Sequence, residues 1–201
     1  MNEEADKFYA ENYARLLKER DLPLRERYPE YEIGVGSYGG VIVRKWDEKT
    51  KLSIGNYCSF SFDVQIFLGG EHRTDWVTTF PFSQLWPEAK HIEGHPKSRG
   101  DVRIGNDVWV GAGACIMSGV TIGDGAVIGA RSVVLGNVSS YSIFAGHPAK
   151  FLGRRFPEHV VEELGSIKWW NWPRERIVGA LPFLLNRDIE GFIEAYKTGE
   201  I

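Results

Sequence analysis

Long apolar runs are what this chain of 201 residues most clearly lacks. None approaches the roughly 18 residues that cross a bilayer as a helix, so no membrane insertion is expected. The opening stretch MNEEADKFYAENYARLLKER is charged where a secretory leader would be apolar, which sets the expectation of a cytoplasmic protein. Cysteine is scarce too. Cys58 and Cys115 are the two present, too few for a disulfide framework and without metal-ligand spacing. Both fall in apolar stretches and read as small core thiols. No basic block occurs and the formal net charge is −3, which argues against a nucleic-acid partner. With 43% hydrophobic and 25% charged residues, the chain can bury one core and remain soluble.

What is present is a repeat. Ile104, Val110, Ile116, Ile122, Ile128 and Val134 are β-branched aliphatics spaced by six, and glycine follows four of them, at Gly105, Gly111, Gly123 and Gly129. Two residues ahead of each lies a small or β-branched residue: Val102, Val108, Ala114, Val120, Ala126 or Ser132. A period of six fits neither a helix at 3.6 nor an alternating strand. It fits a prism with an all-β core, in which each short strand makes one flat face and three faces close one coil. Each aliphatic then stacks on its counterpart about 18 residues on. Corners need tight turns, for which Asn106, Asp107, Asp124, Gly125, Gly136 and Asn137 are suited.

A weaker set, Ile54, Phe60 and Ile66, precedes these, and the 38 residues from Ile66 to Ile104 break the period. An insertion is therefore expected at residues 69–100, too aromatic for a disordered linker. Long ordered loops on a rigid scaffold usually carry function. The expected organisation is an N-terminal helical segment over 1–30, with a helix near 3–20, then the prism over 31–150 with its inserted loop. A C-terminal helical cap over 151–201 follows. Pro157 and Pro173 are placed to start helices and Asp188 to cap a third. These helices would cover the sheet edge that the last coil exposes.

The hexapeptide core, the loop reading HRTDWVTTFPF, the run IGNDVWVGAGACIMSGVTIGDGAVIGARSVV, the segment AGHPAKFLGRRF and IKWWNW together resemble the xenobiotic acetyltransferases. Members of this group of hexapeptide-repeat acyltransferases acetylate chloramphenicol, streptogramins, and sugar or polysaccharide hydroxyls. The resemblance spans about residues 50–195. It implies a left-handed parallel β-helix, a homotrimer with sites between subunits, acetyl-CoA as co-substrate, and a small-molecule or sugar acceptor. Spacing alone does not give the hand.

Acetyl transfer needs a base for the acceptor's proton and a donor thioester held beside it. His72, just after Gly69–Gly70, matches the family's catalytic histidine, and Glu71 and Asp75 are the carboxylates near enough in sequence to orient it. Trp76 and Phe80 are expected to wall the acceptor pocket, with Tyr38 and Phe62 as further candidates. For acetyl-CoA, Trp109 matches a family tryptophan, and Gly111, Ala112, Gly129 and Ala130 would let the pantetheine approach the coils. Pro148 is a candidate to pack on adenine, and Lys150, Arg154 and Arg155 to meet phosphates. His91 and His95, four apart, invite a metal reading, because the γ-class carbonic anhydrases share this prism and hold zinc through three histidines. No third histidine falls within the hexapeptide coils, so no metal is expected. A metal-dependent lyase and a non-catalytic scaffold are the alternatives to acetyl transfer.

Overall fold

The computed structural model describes residues 23–46 and 49–201. The helix expected over 3–20 lies outside the described residues. A short helix, α1 (Leu24–Arg27), leads into the first coil.

Parallel strands then wind a prism of three faces. The first face holds β1 (Glu32–Ile33), β3 (Leu52–Ile54), β5 (Val102–Ile104) and β8 (Thr121–Ile122). β2 (Tyr38–Lys45) and β4 (Ser59–Leu68) each bend round a corner and serve both other faces. On the second face β4 meets β6 (Trp109–Val110), which pairs with β9 (Val127–Ile128). On the third it meets β7 (Cys115–Ile116), which pairs with β10 (Val133–Val134).

The register explains the period. Ile33, Ile54, Ile104 and Ile122 form one inward column, Phe60, Val110 and Ile128 a second, and Val43, Ile66, Ile116 and Val134 a third. Apart from half-buried Val43, each is almost wholly shielded, at 7% exposure or less. The residue two earlier also points inward in the repeats, so Val102, Val108, Ala114, Val120, Ala126 and Ser132 are buried as well. The residue between faces out. That places Cys115 on the outer side of the third face, half-buried rather than in the core where the sequence suggested it. Cys58 is in the core, and burial pushes its thiol up to about 11.

One corner shows how the coils lock. Tyr57, Asp107 and Tyr141 take left-handed backbone there, as does Gly125, where a Cβ would strike the Tyr141 ring. Beside them Asn56, Asn106 and Asp124 accept backbone N–H bonds from the coil before, at 2.8, 2.8 and 2.7 Å. The ladder satisfies amides that a two-residue strand cannot.

Ile54 pairs with Ile104, fifty residues on, whereas Ile104 pairs with Ile122, eighteen on. The thirty-two extra residues are the length of 69–100, which leaves the corner between the third and first faces through Gly69 and Gly70 and returns at Gly100. Within it lie α2 (Phe82–Leu85) and a 3-10 turn, Pro87–Ala89.

After the last coil the chain folds back as a hairpin, β11 (Ser142–Gly146) with β12 (Ala149–Arg154), whose turn contains Pro148. β11 continues the second face beyond β9, and β12 covers its outer edge. A strand therefore does there what the helices were expected to do. The helices α3 (Glu158–Ile167), α4 (Arg174–Leu184) and α5 (Ile189–Thr198) follow Pro157, Pro173 and Asp188. Val160, Leu164, Ile167, Trp170 and Phe192 cluster with Tyr141 and Tyr57, so the helices lie along the side corner of the prism. Asn56 ties them to the ladder by donating to the Trp170 carbonyl at 3.1 Å. No helix among the described residues is long and apolar enough to cross a membrane.

Candidate active site

The inserted loop closes on itself at its neck. Glu71 and Lys97 exchange two backbone hydrogen bonds, of 3.0 and 2.7 Å, so the outgoing and returning strands run side by side. His72 comes next on the outgoing side, with its side chain exposed. Its Nδ1 lies 2.7 Å from the Thr79 carbonyl oxygen, which can only accept. Nδ1 therefore carries the proton, and in the neutral ring the lone pair is on Nε2. That is the tautomer a general base needs.

Neither neighbouring carboxylate orients the ring. Glu71 accepts from Arg99 and Ser118, at 3.2 Å each. Asp75 accepts two bonds from Arg73, at 2.7 and 2.6 Å, and these hold its carboxyl down to about 2. Arg73 also donates to the Gly94 carbonyl and lies over Trp76, 5.0 Å from the ring centroid. Trp76 is thereby half-buried against the neck. Phe80, one residue beyond Thr79, is 48% exposed and begins a row of rings with Phe82 and Trp86, at centroid spacings of 4.7 and 4.8 Å. Phe80 is thus an exposed ring next to Thr79 in the chain, while Trp76 braces the loop against Arg73. Tyr38 and Phe62 stay exposed on the first two coils.

His95, on the returning strand, packs edge-on against His72, with centroids 4.8 Å apart and planes at 85°. His91 is exposed. Among the described residues no three His, Cys, Asp or Glu side chains gather as a metal site would require.

The donor candidates occupy a different side. Trp109 is 57% exposed on the outer surface of the second face, in register with Ser59 and Val127. That face lies across the prism from the corner that carries the loop, so one chain does not bring Trp109 and His72 together. Ala112 and Ala130 are accessible at the corner between the second and third faces. Gly111 is buried, and the reason for glycine there is internal: a Cβ would lie 2.5 Å from the Ala130 nitrogen. At Gly129 it would meet the Ala145 Cβ at 2.6 Å. Both glycines are required by the close stacking of the coils.

Residues 101–136 match the family described as bacterial transferase hexapeptide (six repeats). A chloramphenicol acetyltransferase of Escherichia coli is 41% identical over 156 residues, 75% of this chain and 74% of that protein. A probable macrolide acetyltransferase of Lysinibacillus sphaericus is 42% identical, covering 67% of this chain and 77% of its own. Virginiamycin A acetyltransferase of Staphylococcus aureus is also 42% identical, over 70% of this chain and 65% of its own. This chain belongs to the xenobiotic acetyltransferases. It is an acyltransferase of the hexapeptide-repeat class. The fold extends to AntD, an N-acyltransferase from Bacillus cereus solved with dTDP and coenzyme A, at a TM-score of 0.50 and 19% identity over 68% of this chain and 69% of that one.

In this xenobiotic acetyltransferase the basic residues after the last coil divide into two groups. Lys150 and Arg154 are exposed on β12, Lys150 with no ion pair among the described residues and Arg154 paired with Glu158. Arg155 is exposed as well, but its guanidinium reaches back to the corner. It donates to Asp107 at 3.1 Å and to the Gly125 carbonyl at 2.8 Å, and stacks on Tyr141 and Phe156. Burial raises the Asp107 carboxyl, and Arg155 opposes that rise. Arg155 is therefore the counter-ion of a corner aspartate, whereas Lys150 has no ion pair among the described residues. Pro148 is exposed at the hairpin turn.

Two neighbours of His72 in this xenobiotic acetyltransferase escaped the sequence reading. A backbone carbonyl such as that of Thr79 leaves no mark in sequence. His95 did leave one, but its spacing from His91 pointed to metal rather than to His72.

Proposed function

We propose that this enzyme is an acetyl-CoA-dependent O-acetyltransferase of a small hydroxyl-bearing acceptor, with His72 as its base. The observation that carries this is the hydrogen bond from His72 Nδ1 to the Thr79 carbonyl, 2.7 Å long, which leaves Nε2 to accept. Nε2 takes the acceptor's hydroxyl proton as its oxygen attacks the thioester carbonyl. The tetrahedral intermediate then collapses, the C–S bond breaks, and the His72 proton passes to the CoA thiolate. The products are an acetyl ester and CoA. The names of the relatives support an antibiotic hydroxyl, on a chloramphenicol, macrolide or streptogramin scaffold, ahead of a sugar or polysaccharide hydroxyl. Phe80 and its neighbouring rings would supply the apolar wall such scaffolds need.

The prism is proposed to be left-handed and the enzyme a cytoplasmic homotrimer. The separation of the loop from Trp109 across the prism supports a site completed by a neighbouring subunit. CoA would lie along Trp109, Ala112 and Ala130, with Lys150 and Arg154 toward its phosphates. His72→Ala tests the chemistry. Turnover of chloramphenicol or virginiamycin with acetyl-CoA should fall roughly 10²–10⁴-fold, the usual worth of a general base. Acetyl-CoA affinity should hold. A His72→Ala enzyme with near-normal turnover would remove the assignment.

A further inference from the structure

His95 carries no role in that chemistry, yet it is the side chain packed against the base. Thr79 supplies one hydrogen bond to His72, and one bond leaves the ring free to swing about its axis. The His95 ring closes that freedom by standing edge-on at 4.8 Å. His95 is itself fixed by its position in the neck. Its carbonyl accepts from Gln84 at 2.9 Å, Gly94 before it accepts from Arg73, and Lys97 after it is bound to Glu71. Both of its ring nitrogens are sealed from solvent and find no hydrogen-bond partner. Such a ring can pack, but it cannot hold a charge there cheaply.

We propose that His95 is a positioning residue: its uncharged ring holds His72 in the orientation that Thr79 selects and adds no further positive charge beside His72 when His72 takes up its proton. Burial first, then the proximity of His72 and Arg73, lowers the tendency of His95 to protonate. The charged groups around it are consistent with a neutral ring. Arg73 and His72 face it from the outgoing strand, and Lys49, Lys90 and Glu93 line the cleft of about 540 Å³ on its other side. The Glu71 carboxylate is turned away to Arg99 and Ser118. A cation at His95 would oppose the protonation of His72 and weaken it as a base.

This inference rests on His72 being the base, so its test includes a readout that does not depend on turnover. Histidine labelled with 15N distinguishes the two neutral tautomers of His72 in the folded enzyme. Wild type and His95→Phe should show His72 protonated at Nδ1, whereas His95→Ala should show a mixture. Kinetics should agree. His95→Ala is expected to lower kcat roughly ten- to a hundredfold through misplacement, with little change in either KM, and His95→Phe to recover most of that loss. His95→Lys should move the acid limb of the pH profile to lower pH and depress its plateau. If His95→Phe fails to fold, His95→Gln, which also never charges, takes its place. The proposal is overturned if His95→Ala keeps the wild-type tautomer and kcat, or if the acceptor KM rises alone, which would make His95 a binding residue. It is overturned too if the shape-preserving variant is as impaired as His95→Ala. A dead His72→Ala enzyme with an unmoved tautomer in His95→Ala would sink this inference and leave the base standing.

Discussion

At the scale of single residues, the account turns on which groups are held and by what. His72 is held by a carbonyl and a packed ring, and both carboxylates near it in sequence are engaged elsewhere. Its place after Gly69–Gly70 was legible because the period broke there. Its orienting partner was not, since any residue type can offer a carbonyl. Arg155 shows a second partner of this kind: a basic residue at the end of the repeats gives no sign in sequence of the corner aspartate it pairs with. That pair yields a stability prediction with a defined sign. The Asp107 carboxyl is already raised by burial, and removing Arg155 takes away a cause that lowers it. A group whose folded pKa lies above its unfolded value costs stability once the pH is above both, and the cost shrinks as pH falls through the folded value. Arg155→Met should therefore lose about 1–2 kcal/mol at neutral pH, below the loss for a fully buried pair because both side chains keep some exposure. The deficit should narrow toward pH 4, as read from urea midpoints across that range. A deficit independent of pH would show that stacking on Tyr141 and Phe156, not charge, is what Arg155 supplies.

At the scale of elements, legibility followed burial. The strands of the coils are two or three residues long in the regular region, too short for any alternation to be read. Their inward positions recur every six residues, however, and stack into buried columns that are aliphatic apart from Phe60. The period therefore announced the coils even though no single strand did. β12 had no such signal. Its residues are exposed or half-exposed throughout, so nothing in their hydrophobicity marks them as a strand, and only pairing with β11 makes them one. Glycines within the repeat are also set by stacking. Gly111→Ala would place a methyl 2.5 Å from the Ala130 backbone nitrogen, forcing adjacent coils apart. A loss of roughly 1–3 kcal/mol is expected, the usual cost of overpacking. Ala112→Ser, at an accessible corner position, should cost much less. Thermal melts of the two variants side by side check this, and equal melting temperatures would contradict the stacking account.

At the scale of the whole molecule, the single chain divides its chemistry between two sides. His72 projects from the corner between the third and first faces, and the donor candidates lie on and beside the second. If the proposed trimer brings a neighbour's second face to each loop, each site takes its base from one subunit and its CoA wall from another. Light scattering should then report about three times the 22.7 kDa chain mass. The most direct measurement mixes chains. His72→Ala chains and chains carrying Lys150→Glu with Arg154→Glu are unfolded together in equal amounts, refolded, and assayed with acetyl-CoA and chloramphenicol. A site works only when its base comes from the second kind and its CoA wall from the first, which random mixing provides at about one site in four. Two nearly inactive preparations should regain roughly a quarter of wild-type turnover. Mixed trimers that regain none would place base and CoA charges on one chain and contradict the shared site.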